Sequence, residues 1–526
     1  MQRQQETEKR QQEPQEQYHP YSDKRQLLVC AATNKAISVI LIRYFALVMK
    51  QRQQQDWRPP NVVLVGDESK LLDEVESSHS VLSSDDIHRL RFCHVYRFKT
   101  RIMLELSEMA LFIKKGKLSS EAVDRARALQ AEIVARLVGL PEEHKALLER
   151  LCRGLEDACS GTTSTTTKEE DVEKLIADAQ SMIRALPPDA VRLDLMKSAD
   201  VIFCTLCSAG SKILQWVGGR DDDSDASTTD LIVDEAAAAT EPALYIPIFQ
   251  CKPSRMMLVG DPKQLPSTVL SPRAKRFGLD RSVQERLMFG GGDGARWKYQ
   301  MLSVQYRMHP EISQFPSRRF YGNQLGDGEC VRLRRNMAPL MQGQPYCFLQ
   351  VNGQEKEGVG GSTYNLEEAD AVVRLIQQLE RVYDHKRWKS PDRLRIISFY
   401  QAQVTLIRRC LKETGLEGVV VSTVDSAQGC EADLVIISFV KGGRAGFLND
   451  NRRINVALTR ARHQLICVGN VSQFPAMYNA DTLKDLARDA SFRGAVSTTM
   501  ATAQSSAITL LQQGNQADAN KSLVTV

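Results

Sequence analysis

Apolar residues fall along this chain in two textures. The first is the short unbroken run. Leu27-Leu28-Val29-Cys30-Ala31-Ala32-Thr33-Asn34 is one such run, closing in a polar turn, and Asn61-Val62-Val63-Leu64-Val65-Gly66 is another. Ala199 to Thr205, Leu231-Ile232-Val233 and Arg255 to Val259 repeat it. Such runs fit parallel strands, which are buried on both faces and so do not alternate. In the second texture, Leu, Ala, Ile and Met recur at helical spacing between charges. It follows the first run as far as Met49 and fills about Lys99 to Lys197, and it predicts helices. A polar break from Ser160 to Thr167 predicts two long helical stretches joined by a flexible loop, a packing or spacer module.

The second half repeats the scheme. Tyr346 to Val351, Leu394 to Tyr400, Gly418 to Ser422, Leu434 to Ser438 and Gln464 to Gly469 read as strands, and Asn365 to Val382 as an amphipathic helix. Strands separated by helices in this order predict an α/β protein with two doubly wound parallel sheets of similar size. Residues 1–26 are polar and rich in Gln, Glu and Arg. Past about Ala476 the chain is again polar, and Ser497 to Val526 reads as a loose tail.

Composition narrows the function classes little. A chain of 526 residues has room for roughly two to four domains. Hydrophobic content of 42% and charged content of 25% are ordinary for a soluble protein. A net charge of +5 permits a polyanion partner without demanding one. The 12 Cys are scattered, which fits a reducing compartment. Cys204 and Cys207 form one close pair, with no second pair or His cluster at zinc spacing. They read as small apolar residues ending a strand. The N-terminus has no signal-peptide core, and the greasy run Ile37 to Met49 is too short for a bilayer and contains Arg43. The expectation is an intracellular protein without a membrane anchor, with nucleus and cytoplasm both open.

The chemistry centres on Leu231-Ile232-Val233-Asp234-Glu235-Ala236, an apolar run ending in adjacent carboxylates. The carboxyl end of a parallel strand is where an open α/β sheet places its ligand. Two acids there suit nucleotide hydrolysis, one holding Mg²⁺ and the next polarising the attacking water. The same pair also suits a helix start, where the dipole favours negative charge.

Four further motifs follow in order: Gly260-Asp261-Pro262-Lys263-Gln264-Leu265-Pro266, Gln305-Tyr306-Arg307-Met308-His309-Pro310, Val424-Asp425-Ser426-Ala427-Gln428-Gly429 and Asn455-Val456-Ala457-Leu458-Thr459-Arg460-Ala461-Arg462. With the Asp-Glu strand, this set resembles the superfamily 1 helicases, in particular senataxin and the nonsense-mediated-decay helicase, over roughly Leu27 to Asn470. The resemblance implies two RecA-like parallel-sheet domains, 27–300 and 301–475, with a helical insertion at about 99–197 in the first. Residues 476–526 would be a polar tail. It implies ATP and Mg²⁺ as cofactors and a 5′ to 3′ helicase or translocase on single-stranded RNA or DNA, with RNA-linked work favoured.

Residue by residue, the resemblance gives Asp234 to Mg²⁺ and makes Glu235 the base that orients the hydrolytic water. Gln264 would sense the γ-phosphate, and Arg307 and Arg460 would be arginine fingers. Tyr306 would pack on adenine, and Glu431, after the Gln428-Gly429 turn, would contact the ribose. Thr33 and Asn34, then Thr205 and Ser208, match the family's strand-gripping turns, with Ser422 and Thr423 as their counterpart on the second sheet. Hydroxyls and backbone N–H groups at strand ends suit phosphate contact without reading sequence. The stretch Arg318-Arg319-Phe320-Tyr321, with Arg332, Arg334 and Arg335, fits either a groove lining or a solvated charged face.

One part of the family pattern is missing. A phosphate-cradling GxxxxGK[ST] loop belongs shortly before the Leu27 run, yet residues 1–26 contain no Gly. Gly116-Lys117 is followed by Leu118 and lacks the upstream Gly. The strand that should lead into the loop, expected beside the Asp-Glu strand, is missing too. A decayed enzyme would sooner lose the Lys than a core strand. The expectation is an N-terminally incomplete version of an active enzyme, with little turnover from this chain. A catalytically inactive helicase fold that binds nucleic acid or a scaffold partner is the alternative.

Overall fold

The apolar runs of the first half all become strands. The computed structural model describes residues 26–51, 60–66, 93–115, 120–137, 139–159, 165–216, 229–289, 299–333, 340–382, 386–441 and 446–498. They divide into two compact units, Met1–Gly260 and Asp261–Val526.

In the first unit, β1 (Gln26–Ala31), β2 (Val62–Val65), β3 (Val201–Thr205), β4 (Thr229–Asp234) and β5 (Arg255–Leu258) form one sheet in the order β2-β3-β1-β4-β5. Every pairing is parallel. Ala31 at the end of β1 lies between Thr205 on one neighbour and Asp234 on the other. The register therefore gathers the carboxyl ends of three central strands. This is the ligand edge of a parallel sheet.

This order corrects one expectation. The Asp-Glu strand β4 is flanked on both sides, by β1 and β5, so no gap lies beside it. Among the described residues the sheet ends at β5. There Met256 is 43% and Met257 59% exposed, although their run reads like a buried strand. Arg255 holds this edge, its Nε donating to Asp230 Oδ1 of β4 at 2.9 Å.

Among its described residues the insertion holds five helices rather than two long stretches: Phe98–Lys114, Ser120–Arg136, Glu142–Cys159, Thr165–Ala185 and Pro188–Ser198. Short turns at Leu140 and at Leu186-Pro187 break the periodicity. The helices bury one stripe each, such as Ile102, Leu106, Met109 and Ile113, at the spacing that puts side chains on one face. Buried Arg136 ties the bundle to the sheet through a 2.6 Å bond to the Val62 carbonyl of β2. Most of the break Ser160 to Thr167, the acidic run Asp221 to Asp225 and Gly116-Lys117 lie outside the described residues.

In the second unit two short helices, Pro272–Arg276 and Val283–Phe289, precede two short parallel strands, β6 (Val304–Gln305) and β7 (Gly326–Asp327). Its main sheet contains β8 (Tyr346–Gln350), and an antiparallel pair follows, β9 (Glu355–Glu357) with β10 (Thr363–Asn365). The sheet continues with β11 (Leu394–Ser398), β12 (Val420–Thr423), β13 (Ala432–Ser438), β14 (Ala461–Gly469) and β15 (Val496–Ser497), in the order β12-β11-β13-β14-β8-β15. All its pairings are parallel.

The last of these strands corrects the expected tail. A helix, Asp481–Phe492, and β15 extend the fold to Ser497. Leu483, Leu486, Ala487 and Ala490 sit at helical spacing and are buried in the core, a pattern that the polar composition around them masks. Residues 499–526 lie outside the described residues. Cys204 is buried in β3 as expected of a strand, but Cys207 lies past the strand and is exposed. No helix among the described residues is long and apolar enough to cross a membrane.

Candidate nucleotide and nucleic-acid sites

In the first unit the chain turns sharply where β4 ends. Glu235 takes a left-handed conformation, φ 52° and ψ 36°, which is uncommon for a residue with a side chain. The turn is pinned by the Ala236 N–H, which donates to the Val259 carbonyl at 2.8 Å. Strained backbone of this kind clusters at functional sites. The half-buried Asp234 carboxyl is raised above its ordinary value by burial, while the Glu235 backbone N–H and Arg43 oppose that rise.

Thr33 and Asn34 follow β1 and open the helix Asn34–Gln51, with the Ala36 N–H donating to Thr33 Oγ1 at 3.2 Å. Thr205 and Ser208 meet directly. Thr205 Oγ1 donates to Ser208 Oγ at 2.9 Å and accepts the Ser208 N–H at 3.1 Å. The hydroxyl closes a tight turn at the end of β3.

The second unit repeats that turn at the end of β12. Thr423 Oγ1 lies 3.1 Å from Ser426 Oγ and accepts the Ser426 N–H at 3.4 Å. Ser426, not Ser422, is therefore the partner equivalent to Ser208; the shared Thr-x-x-Ser spacing carried that signal in the sequence. Ser422 is buried, and its hydroxyl has no hydrogen-bond partner among the described residues.

Gln264 and Arg460 also come together. Gln264 Nε2 donates to Asp261 Oδ2 at 2.9 Å, and its Oε1 accepts from Arg460 Nη2 at 3.3 Å. Arg460 is only 2% exposed. Its guanidinium also donates to the carbonyls of Val456 and Cys430, at 2.8 and 3.3 Å, and to Thr459 Oγ1 at 3.0 Å. Tyr321 completes this network. Its hydroxyl donates to Asp261 Oδ2 at 2.6 Å and accepts from Asn455 Nδ2 at 2.8 Å. Burial, then the Asp261 charge, raises the Tyr321 phenol well above its ordinary value. The sequence grouped Tyr321 with a basic stretch, and nothing in its spacing pointed to Asp261. Arg318 and Arg319 of that stretch instead pair with Asp489 and Asp485, at 2.7 and 3.2 Å. Arg334 and Arg335 lie outside the described residues.

Arg307 and Glu431 are paired to each other, Nε to Oε2 at 2.6 Å. Gly429 ends the turn before Glu431 with φ 72°. Tyr306 is 64% exposed. Its ring lies against Gly328, where a Cβ would come within 2.4 Å of it, so any larger residue at 328 would push the ring aside.

A family model described as an AAA domain matches residues 3–272, and a second of the same description matches 279–472. This chain belongs to the AAA-domain superfamily 1 helicases. Within that family, it is 38% identical over 297 residues to the probable helicase MAGATAMA 3 of Arabidopsis thaliana, covering 54% of this chain and 34% of that protein. It is 29% identical over 478 residues to the helicase sen1 of Schizosaccharomyces pombe, covering 87% of this chain and 26% of that protein. It is 35% identical over 294 residues to the regulator of nonsense transcripts 1 homolog of Drosophila melanogaster, covering 53% and 23%. This helicase chain thus spans about a third or less of the relatives it matches. A solved arterivirus nonstructural protein 10 helicase bound to DNA is similar at 15% identity and a TM-score of 0.26, over 54% of this chain and 46% of its own. That likeness is too faint to add to the strand orders above.

Proposed function

We propose that this chain is the two-lobed core of an ATP-driven motor on single-stranded nucleic acid, working inside the cell in the nucleus or cytoplasm. RNA is the favoured strand and 5′ to 3′ the direction of travel. Asp234 holds Mg²⁺ and Glu235 orients the attacking water. Gln264 senses the γ-phosphate, and Arg307 and Arg460 meet its developing negative charge. Fixed guanidiniums suit this work because most of phosphoryl-transfer catalysis is electrostatic. Tyr306 packs on adenine, and Glu431, beyond Gly429, contacts the ribose. The turns at Thr33-Asn34, Thr205-Ser208 and Ser422-Thr423-Ser426 hold phosphates of the strand.

Asp234 fits Mg²⁺ in one respect. It sets a half-buried carboxyl at the carboxyl end of β4, and Mg²⁺ characteristically takes one or two carboxylates, with waters and substrate phosphates as its other ligands.

What carries the reading is the bridge at Gln264, whose amide touches Asp261 while its oxygen accepts from Arg460. A γ-phosphate sensor and a finger arginine in one hydrogen-bonded set is what coupled hydrolysis requires. The test is ATP turnover with and without single-stranded RNA, on the longest form of the protein available. Arg460→Ala should lower stimulated turnover by roughly a thousandfold or more. A loss under about tenfold would take Arg460 out of the site. Glu235→Gln should abolish turnover and leave ATP binding intact; normal turnover in that variant removes the base from Glu235.

A further inference from the structure

The carboxyl edge of the second sheet carries an aromatic feature that the roles above leave unused. Phe447 is 55% exposed, and a single exposed aromatic is unremarkable. This one, however, is built into place. It rests against buried Tyr400, the ring centroids 5.7 Å apart at an interplanar angle of 41°. The Phe447 backbone N–H is hydrogen-bonded to the Tyr400 phenol, which burial pushes up to about 12. The preceding Gly446 has φ 54°, and a Cβ there would lie 2.9 Å from the Tyr400 hydroxyl. Only glycine lets the chain pass so close to the phenol. The Arg453 guanidinium lies 5.3 Å from the centroid of the Phe447 ring.

The position is as specific as the construction. Ser398 of β11 pairs in register with Thr423 of β12. Tyr400 comes two residues after Ser398, and Asp425, which holds Arg453 at 3.0 Å, comes two residues after Thr423. The ring therefore stands beside the Thr423-Ser426 turn.

We propose that Phe447 is a stacking platform for one base of the bound single strand. The proposal rests on the reading that the Thr423 turn holds a phosphate of that strand. Local charge favours a base over a phosphate as the ring's own ligand. Arg453 is neutralised by Asp425 and Asp450, and Lys441, 5.3 Å from the Tyr400 ring, by Glu355. Stacking is also indifferent to sequence, because every base offers a π-face, and a motor that moves along any strand needs that tolerance.

The experiment measures binding of the full chain to a short oligouridine and to an oligomer of equal length with abasic sugars. Phe447→Ala should weaken oligouridine binding roughly 5- to 100-fold, the range for loss of one stacked base. Its affinity for the abasic oligomer should not change, and Phe447→Trp should restore the preference for bases. Thermal melting should be the same for all three proteins. Should Phe447→Ala still prefer the base-bearing strand as strongly as the parent chain, the platform is refuted. Thr423→Ala separates the underlying reading: it should weaken both oligomers alike. If it weakens neither while Phe447→Ala loses base preference, the phosphate turn is wrong and the platform stands. Failure of the parent chain to bind either oligomer overturns both.

Discussion

The runs Arg255-Met256-Met257-Leu258 and Leu434-Val435-Ile436-Ile437 look alike on paper and end up in opposite circumstances. The second lies in β13, paired with β11 on one side and β14 on the other, and every one of its four residues is buried. The first is β5, paired with β4 alone among the described residues, and its two methionines face outward. An apolar run thus records the capacity to be buried, whereas neighbours decide whether burial happens. The same contrast holds for polar groups. The second sheet buries a closed set in which Gln403 Nε2 donates to Ser438 Oγ at 3.0 Å and Ser438 Oγ donates to Glu368 Oε2 at 2.7 Å. Glu368 in turn accepts the N–H of Val440, whose φ is 72°. Asp234, at the end of β4 in the first sheet, is only half-buried.

The largest effect that would sharpen this comparison is in unfolding free energy. Ile436→Ala should cost about 2–5 kcal/mol, the range for emptying a packed core site. Met256→Ala should stay within about 0.5 kcal/mol, as exposed substitutions do. Equal losses in urea unfolding would erase the difference between the two strands.

Next comes pH. Burial raises the Glu368 carboxyl from 4.5 to about 7. Between those values the folded state binds a proton that the unfolded state has lost, so stability falls as pH rises through that window and levels off above it. The drop is on the order of 3 kcal/mol. Glu368→Gln should flatten it in unfolding curves taken across the window, and an unchanged slope would assign the effect elsewhere. The smallest change is Tyr321→Phe, which removes one hydroxyl from between Asp261 and Asn455. It should cost about 1–3 kcal/mol, the penalty for leaving buried polar groups short of a partner. A neutral result would mean that the network around Gln264 does not depend on Tyr321.

Central strands and motif order were legible because they depend on local texture and on short fixed spacings. Leu28, Val233 and Ile436 each lie in runs that parallel sheets bury on both faces. Asp234-Glu235 could be placed at a strand end from the run before it. Edges and long-range partners were not legible. Whether β5 has a second neighbour depends on topology, and the Tyr321–Asp261 bond spans a separation that no local pattern encodes. The five helices of the insertion were blurred into two because their breaks are only a few residues long. The last helix was hidden by the charges on its outer face. Arg307 and Glu431 were each singled out by their motifs, but their pairing with one another was not foreseen.

Met256 and Met257 leave the β5 edge with a chemical liability. A thioether open to water is readily oxidised to the sulfoxide, which is polar and chiral where the parent side chain was greasy and pliable. Met308 and Met477, buried in the second unit, are shielded from peroxide by their packing. Among the described methionines, oxidation should therefore reach this strand before the packed ones.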